Sequence, residues 1–319
     1  MSLWLAFPII FAASLLLFLP SFSYYFFQDD WFILNWVQNS DFISLFKFRT
    51  DIIYWRPISM PLFFKIGQIL FDHNTFGFHF ILYTIHLINS FLVFSLFRTL
   101  KFTTLTALVI SLMYSTASFH FVPLSWLATA SYIIGPLFIL TSLILYLKGK
   151  YLLAFIAFLL ALASTEFAIV LIPVAAMLGP KLSTGLKHLS PYIAISFIYL
   201  VLRFLIFPLP RAGQYEITLA PKILTNLAWY FAWTFNVPEK IATIFFFTNL
   251  KNSFAISLEF FKYLFLPLAL ITGYLVILIR SKIRPDKIII GLLWFLFGIS
   301  PVILLTNHNY AMYLPVSSL

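Results

Sequence analysis

Residues Phe76 to Phe97 read FGFHFILYTIHLINSFLVFSLF, 22 residues with no Asp, Glu, Lys or Arg. As a helix such a run covers about 33 Å at 1.5 Å per residue, enough to cross ~30 Å of hydrocarbon. Its polar members are grouped. His79, Tyr83, His86 and Ser90 stand at offsets of 4, 7 and 11 and share one helical face, with Asn89 flanking it. Polar side chains in a membrane helix face protein or a wet cavity, because lipid offers them no partner. The stretch therefore predicts a spanning helix inside a bundle. Interhelical hydrogen bonding accounts for each histidine singly; lining a site is the alternative for His79, His86 and Asn89.

Outward from this helix the same grammar repeats. Apolar runs occupy about 3–24, 102–118, 132–147, 152–163, 167–178, 192–207, 223–236, 263–279 and 288–305. The composition agrees: 62% of residues are apolar and 9% charged, with 40 Phe. A water-soluble domain carries roughly 45–50% apolar and about 25% charged residues, so a soluble globule is excluded. The fold class expected is all-α: one polytopic membrane bundle over 1–319 with about 9–11 spans. The run from Leu3 lacks a basic residue before it and a small-residue cleavage site, and is read as a retained first span. Several runs fall short of ~20 residues. With no cysteine, disulfides, thiolate metal sites and a cysteine nucleophile are excluded.

The net charge of +10 looks at first like a nucleic-acid footprint, but its distribution decides otherwise. Arg98, Lys101, Lys148, Lys150, Lys181, Lys187, Arg280, Lys282, Arg284 and Lys287 are half of the 20 basic residues and sit between runs on one side of the membrane, with Asp286 the single acid among them. That is the bias of cytoplasmic loops, and no nucleic-acid partner is needed to explain it.

This orientation puts the most polar stretch of the chain, Gln28 to Trp55, on the opposite, non-cytoplasmic face. Trp31, Trp36, Tyr54 and Trp55 suit short helices lying at head-group level. Asp29 and Asp30 stand together at its start, where a carboxylate is costly unless solvated, paired or useful. They are a helix cap, a proton acceptor with its support, or part of a cation site. Arg56, fixed between Trp55 and Pro57, is either a snorkelling arginine or a bidentate phosphate contact. Glu166 interrupts an apolar stretch at Ser164-Thr165-Glu166: it marks a tight turn, or it has a buried partner such as Arg203. His308 and Tyr310 lie in a terminal polar stretch on the outer side. The six histidines show no ligand pair with a carboxylate at metal-binding spacing, and there is no nucleotide-binding glycine loop or nucleophile elbow.

In order, Phe27-Gln28-Asp29-Asp30-Trp31, Tyr54-Trp55-Arg56-Pro57, Gly77-Phe78-His79, Ser164-Thr165-Glu166 and Tyr313-Leu314-Pro315 resemble the GT-C membrane glycosyltransferases, in particular the protein O-mannosyltransferase-like branch with its transmembrane, tetratricopeptide-bearing members. The chain departs from that pattern at Thr165 and at Thr129-Ala130, and stops before the family's further C-terminal spans. The resemblance implies an outer catalytic loop at about 25–57, with Asp29 as leading base and Asp30 in support. It makes Arg56 and Arg203 the donor-phosphate contacts, and has Trp55, His79, His86, Asn89, Glu166, His308 and Tyr310 line the site. The donor implied is a polyprenyl-phosphate sugar, mannose or another hexose, and the acceptor a protein, lipid or glycan hydroxyl. A divalent ion, Mg²⁺ or Mn²⁺, is compatible though no cofactor is required. The setting is a bacterial plasma membrane or an endoplasmic reticulum. A lipid or solute carrier, or a non-catalytic homologue, is the competing expectation.

Overall fold

The computed structural model describes residues 3–49, 51–179, 182–207, 216–217, 222–237, 272, 285–305 and 310–315. His308 and the expected span 263–279, apart from position 272, lie outside them. The described elements are helical: α1 (Leu3–Phe18), α2 (Asp29–Gln38), α3 (Phe63–Phe71), α4 (Thr75–Thr99), α5 (Thr104–Ser115), α6 (Phe121–Ser125), α7 (Ser131–Leu147), α8 (Tyr151–Leu162), α9 (Leu171–Leu178), α10 (Leu182–Ile206), α11 (Lys222–Thr234) and α12 (Pro285–Ile299), joined by short 3-10 turns.

This is a membrane protein with three helices long and apolar enough to cross a bilayer, Thr75–Thr99, Leu127–Leu147 and Gly185–Ile206. The pair Thr104–Ser115 and Ser118–Ser125, bent by 45°, makes a fourth if it counts as one span. The expected 9–11 crossings are therefore not reached among the described residues. Several of the counted runs are short or broken helices, and another falls almost wholly outside the described residues. Pro20 turns the first run into a 3-10 segment, Leu19–Ser23, and the polar triplet at 164–166 splits the run after Lys150 into two short helices. At about 1.5 Å per residue, the 12 residues of α8 rise ~18 Å, well short of a crossing.

The chain divides into two compact units, residues 1–116 with 120–210, and residues 117–119 with 211–318. In the first, α4 and α7 form the spine, with α5 packed on α4 and α8 on α7. The α3–α4 hairpin closes because two glycines seat each other's helix: a Cβ on Gly67 would enter the Phe78 ring, and one on Gly77 the Phe71 ring. Asn74 caps α4 by accepting from Phe76 N at 3.1 Å. Apolar packing then runs through Ile33, Phe63, Phe64, Phe78, Leu82 and Ile133. In the second unit the buried Asn226 of α11 donates to the carbonyls of Ile303 and Leu305, at 2.8 and 3.0 Å.

The expected polar stripe of α4 is buried, as its periodicity required. The His79 ring nitrogens face the carbonyls of Leu124 (2.8 Å) and Tyr24 (3.1 Å), His86 Nε2 donates to Ser115 O (3.0 Å), and Asn89 donates to Ile133 O (2.8 Å). Four different neighbouring segments are thus tied to one helix. The head of α4, the residues after α1 and the end of α6 meet at one end of the bundle, while Arg98 closes the other.

Candidate functional site

The end marked by His79 carries the charged cluster. Helix α2 begins at Asp29, two residues before Trp31, and its cap residue Gln28 has φ 44° and ψ −111°. A non-glycine residue in that region is strained, and strain of this kind is kept where the surrounding structure holds the backbone in place.

The two adjacent aspartates have different fates. Asp30 is fully buried: Oδ2 accepts from Phe27 N at 2.8 Å and Oδ1 from Ala128 N at 2.6 Å. It clamps the start of α2 to the 3-10 turn Leu127–Thr129 that leads into α7. Burial pushes its carboxyl up from 3.8 to about 6, against the hydrogen bonds that favour its charge. Asp29 is exposed and makes no side-chain hydrogen bond among the described residues. One carboxylate is a strut and the other is available.

Arg56 is buried, 8% exposed, and so is no snorkelling side chain. Its Nε and Nη2 donate to the two Glu166 oxygens at 2.8 and 2.5 Å, and Nη1 donates to Ser131 Oγ at 3.0 Å. The guanidinium lies 4.3 Å from the Tyr54 ring centre. The sequence left Arg203 as the sharper partner for Glu166; the structure gives that place to Arg56. Burial disfavours the Glu166 charge, but the Arg56 guanidinium outweighs it and holds the carboxyl below its usual range. Around this pair the segment that follows the loop after α2 is stitched to the turn after α8: Ile58 N donates to Ala163 O at 3.0 Å and Ser59 Oγ to Ser164 O at 2.5 Å. Gly135 on α7 admits the turn, since a Cβ there would strike the Thr165 methyl.

The backbone just after Arg56 widens to a π turn, Ile58–Leu62, with Leu62 N bonded to Pro57 O at 2.9 Å. Pro61 has no N–H to offer a regular helix, and turns of this type often sit beside functional residues.

A shallow cleft in the same loop is lined by Trp36, Lys47, Arg49, Tyr54, Trp55 and Arg56. Arg49 rests 4.6 Å from the Trp36 ring centre and pairs with Asp51, and Trp55 donates to Phe46 O at 3.0 Å. Burial pushes the Tyr54 phenol up; Arg56 and Asp29 also act on it, so both charges lie within electrostatic reach of one hydroxyl.

Asp29, Trp55, Arg56 and Glu166 are therefore brought to one end of the first unit, and Arg203 acts electrostatically on Glu166 there. His79, His86 and Asn89 are not part of this cluster: they bond to backbone carbonyls of the segments packed on α4, with His86 Nδ1 and Asn89 Oδ1 left buried without a partner among the described residues. Tyr310 belongs to the second unit, its ring 6.1 Å from that of Tyr313. Sequence reasoning missed Ser131 and Tyr132, which meet Arg56, and Lys47 and Arg49 in the cleft wall; their interleaving with Trp36, Tyr54 and Trp55 was the available signal. Among the described residues no group of three or more His, Asp or Glu converges to hold a metal ion.

No family model, curated protein or solved structure matches the chain.

Proposed function

We propose that the protein is a GT-C-like membrane glycosyltransferase that moves a hexose, mannose or another, from a polyprenyl-phosphate donor to an acceptor hydroxyl at the non-cytoplasmic face. The observation that carries this reading is the split of the acidic pair: Asp29 exposed at the head of α2, Asp30 buried as its clamp, with basic and aromatic residues gathered in the loop that follows. A free carboxylate at the head of a helix, with Arg56 acting on the same Tyr54 hydroxyl, suits proton removal from an alcohol.

The acceptor oxygen attacks the anomeric carbon as its proton passes to Asp29. The bond from that carbon to the phosphate oxygen breaks on the opposite face, and polyprenyl phosphate leaves with the bonding electrons. The sugar is inverted. Negative charge grows on the leaving phosphate, so cations set in advance lower the barrier. Asp30 is occupied by two backbone N–H groups, so Asp29 is the member of the pair with open oxygens.

One observation favours a carrier instead: α8 and α9 are half-length helices separated by a polar turn whose Glu166 meets Arg56, and broken helices of this kind line transport sites. Purified protein incubated with a polyprenyl-phosphate hexose labelled in the sugar separates the two. Transfer releases free polyprenyl phosphate and a labelled acceptor. Donor that is moved across a vesicle membrane chemically unchanged overturns the transferase reading.

A further inference from the structure

Near the outer end of α10, Tyr199, Arg203 and Phe207 stand four residues apart on one stripe. The loop that carries the cleft crosses this stripe: the Trp55 ring is 6.5 Å from Tyr199 and the Phe48 ring 6.2 Å from Phe207. Arg203 lies between these two contacts. The hydroxyl of Tyr199 is buried, the residue being 9% exposed, and it finds no hydrogen-bond partner among the described residues. It lies within electrostatic reach of Arg56, Glu166 and Arg203. Tyr192 Oη on the same helix is likewise buried without a partner among the described residues, so the missing bond alone marks no site. What sets Tyr199 apart is that two arginines and a carboxylate act on its hydroxyl and two rings of the crossing loop pack on its stripe.

The two arginines differ in what they have left to give. Arg56 has committed Nε, Nη2 and one Nη1 hydrogen to Glu166, Ser131 and Tyr132, and its charge is cancelled by Glu166. Arg203 has one hydrogen bond among the described residues, Nη1 to Phe207 O at 2.7 Å, and stacks on the Phe207 ring at 5.2 Å. A guanidinium has five N–H groups, so most of Arg203 is unspent. Arg56, Glu166 and Arg203 together leave one uncompensated positive charge.

We propose that Tyr199 Oη and the Arg203 guanidinium form a phosphate subsite, which takes the phosphate ester of a lipid-linked ligand, while Arg56 is a fixed post of the scaffold. The subsite has a neutral hydroxyl donor, a planar cation with free N–H groups and an aromatic wall, which are the groups a singly charged phosphate diester needs. The assignment rests on the transferase reading for the identity of the ligand, but its test does not require turnover.

The test is binding of polyprenyl phosphate without sugar to the purified full chain, with inorganic phosphate as competitor, for wild type, Tyr199→Phe, Arg203→Gln and, as a control on the same helix, Tyr192→Phe. Tyr199→Phe removes one oxygen and keeps the ring, so the fold is preserved. Loss of one hydrogen bond to a charged group weakens binding about tenfold, and loss of the cation by tenfold or more. Tyr192→Phe binds as wild type. Competition by inorganic phosphate shows that the headgroup suffices. Binding that depends on Tyr199 without such competition shows that the lipid is required. Wild-type affinity in both Tyr199→Phe and Arg203→Gln overturns the proposal. If no donor is turned over but Tyr199-dependent binding persists, the transferase reading falls and the subsite stands.

Discussion

The polar stripe of α4 and the outer loop look alike as sequence, since both place ionisable or polar residues in an apolar chain, yet they are built differently. Along α4, His86 and Asn89 each donate to a backbone carbonyl of a neighbouring segment, and both are fully buried. Such groups hold helices together in the absence of a hydrophobic drive between them. In the loop after α2 the buried cation Arg56 is paired with a carboxylate, and two charged groups near it, Asp29 at the head of α2 and Arg203 on α10, keep open hydrogen-bonding positions among the described residues. The stripe has spare atoms too, His86 Nδ1 and Asn89 Oδ1, but these are neutral and buried between helices, whereas Asp29 and Arg203 carry charge and are at least partly exposed.

That contrast is breakable. The largest stability effect belongs to the Arg56–Glu166 pair. Arg56→Ala strands a carboxylate and costs about 3 kcal/mol, the low end for a buried pair because Glu166 is 33% exposed. The double variant Arg56→Met/Glu166→Met recovers most of the loss. Thermal melting in detergent checks both; equal losses in the single and double variants would show that the pair contributes through packing alone.

Asp30 comes next. Folded Asp30 keeps its proton up to about pH 6, whereas the unfolded chain releases it near 3.8, so the folded state binds more protons in this window. Stability therefore falls as pH rises from about 4 to 6 and is level above, by on the order of 3 kcal/mol. Melting curves across this range show the slope in wild type and a flat line in Asp30→Asn. A slope of opposite sign would mean that the two backbone N–H bonds outweigh burial.

The smallest effect is expected in the stripe. His86→Phe removes one hydrogen bond to a carbonyl and costs about 1 kcal/mol, with donor KM and turnover unchanged. A change in turnover larger than the change in stability would move His86 from the scaffold to the site.

Periodicity made the all-helical class and the buried face of α4 readable, because a 3.6-residue repeat needs no knowledge of neighbours. The turn at Glu166 was readable for a similar reason, a polar triplet being costly inside lipid. Its partner was not: Arg56 lies 110 residues away, and a single chain gives no sign of which cation folds back to it. Nor was the division between Asp29 and Asp30: successive helix residues point about 100° apart, and which of the two turns inward is decided by the docking of α2 on the distant turn Leu127–Thr129. The count of 9–11 crossings is not reached among the described residues because the first run was read through Pro20 and because runs as short as 152–163 and 167–178 were counted as spans, where the helices have 12 and 8 residues.

The central claim, that Asp29 performs chemistry while Asp30 holds the fold, is tested most directly by the initial rate of sugar transfer from a labelled polyprenyl-phosphate donor in Asp29→Asn. Removing a general base lowers the rate on the order of 10²–10⁴-fold, and because Asp29 is exposed the melting temperature stays at the wild-type value. Transfer at the wild-type rate by this variant would contradict the account.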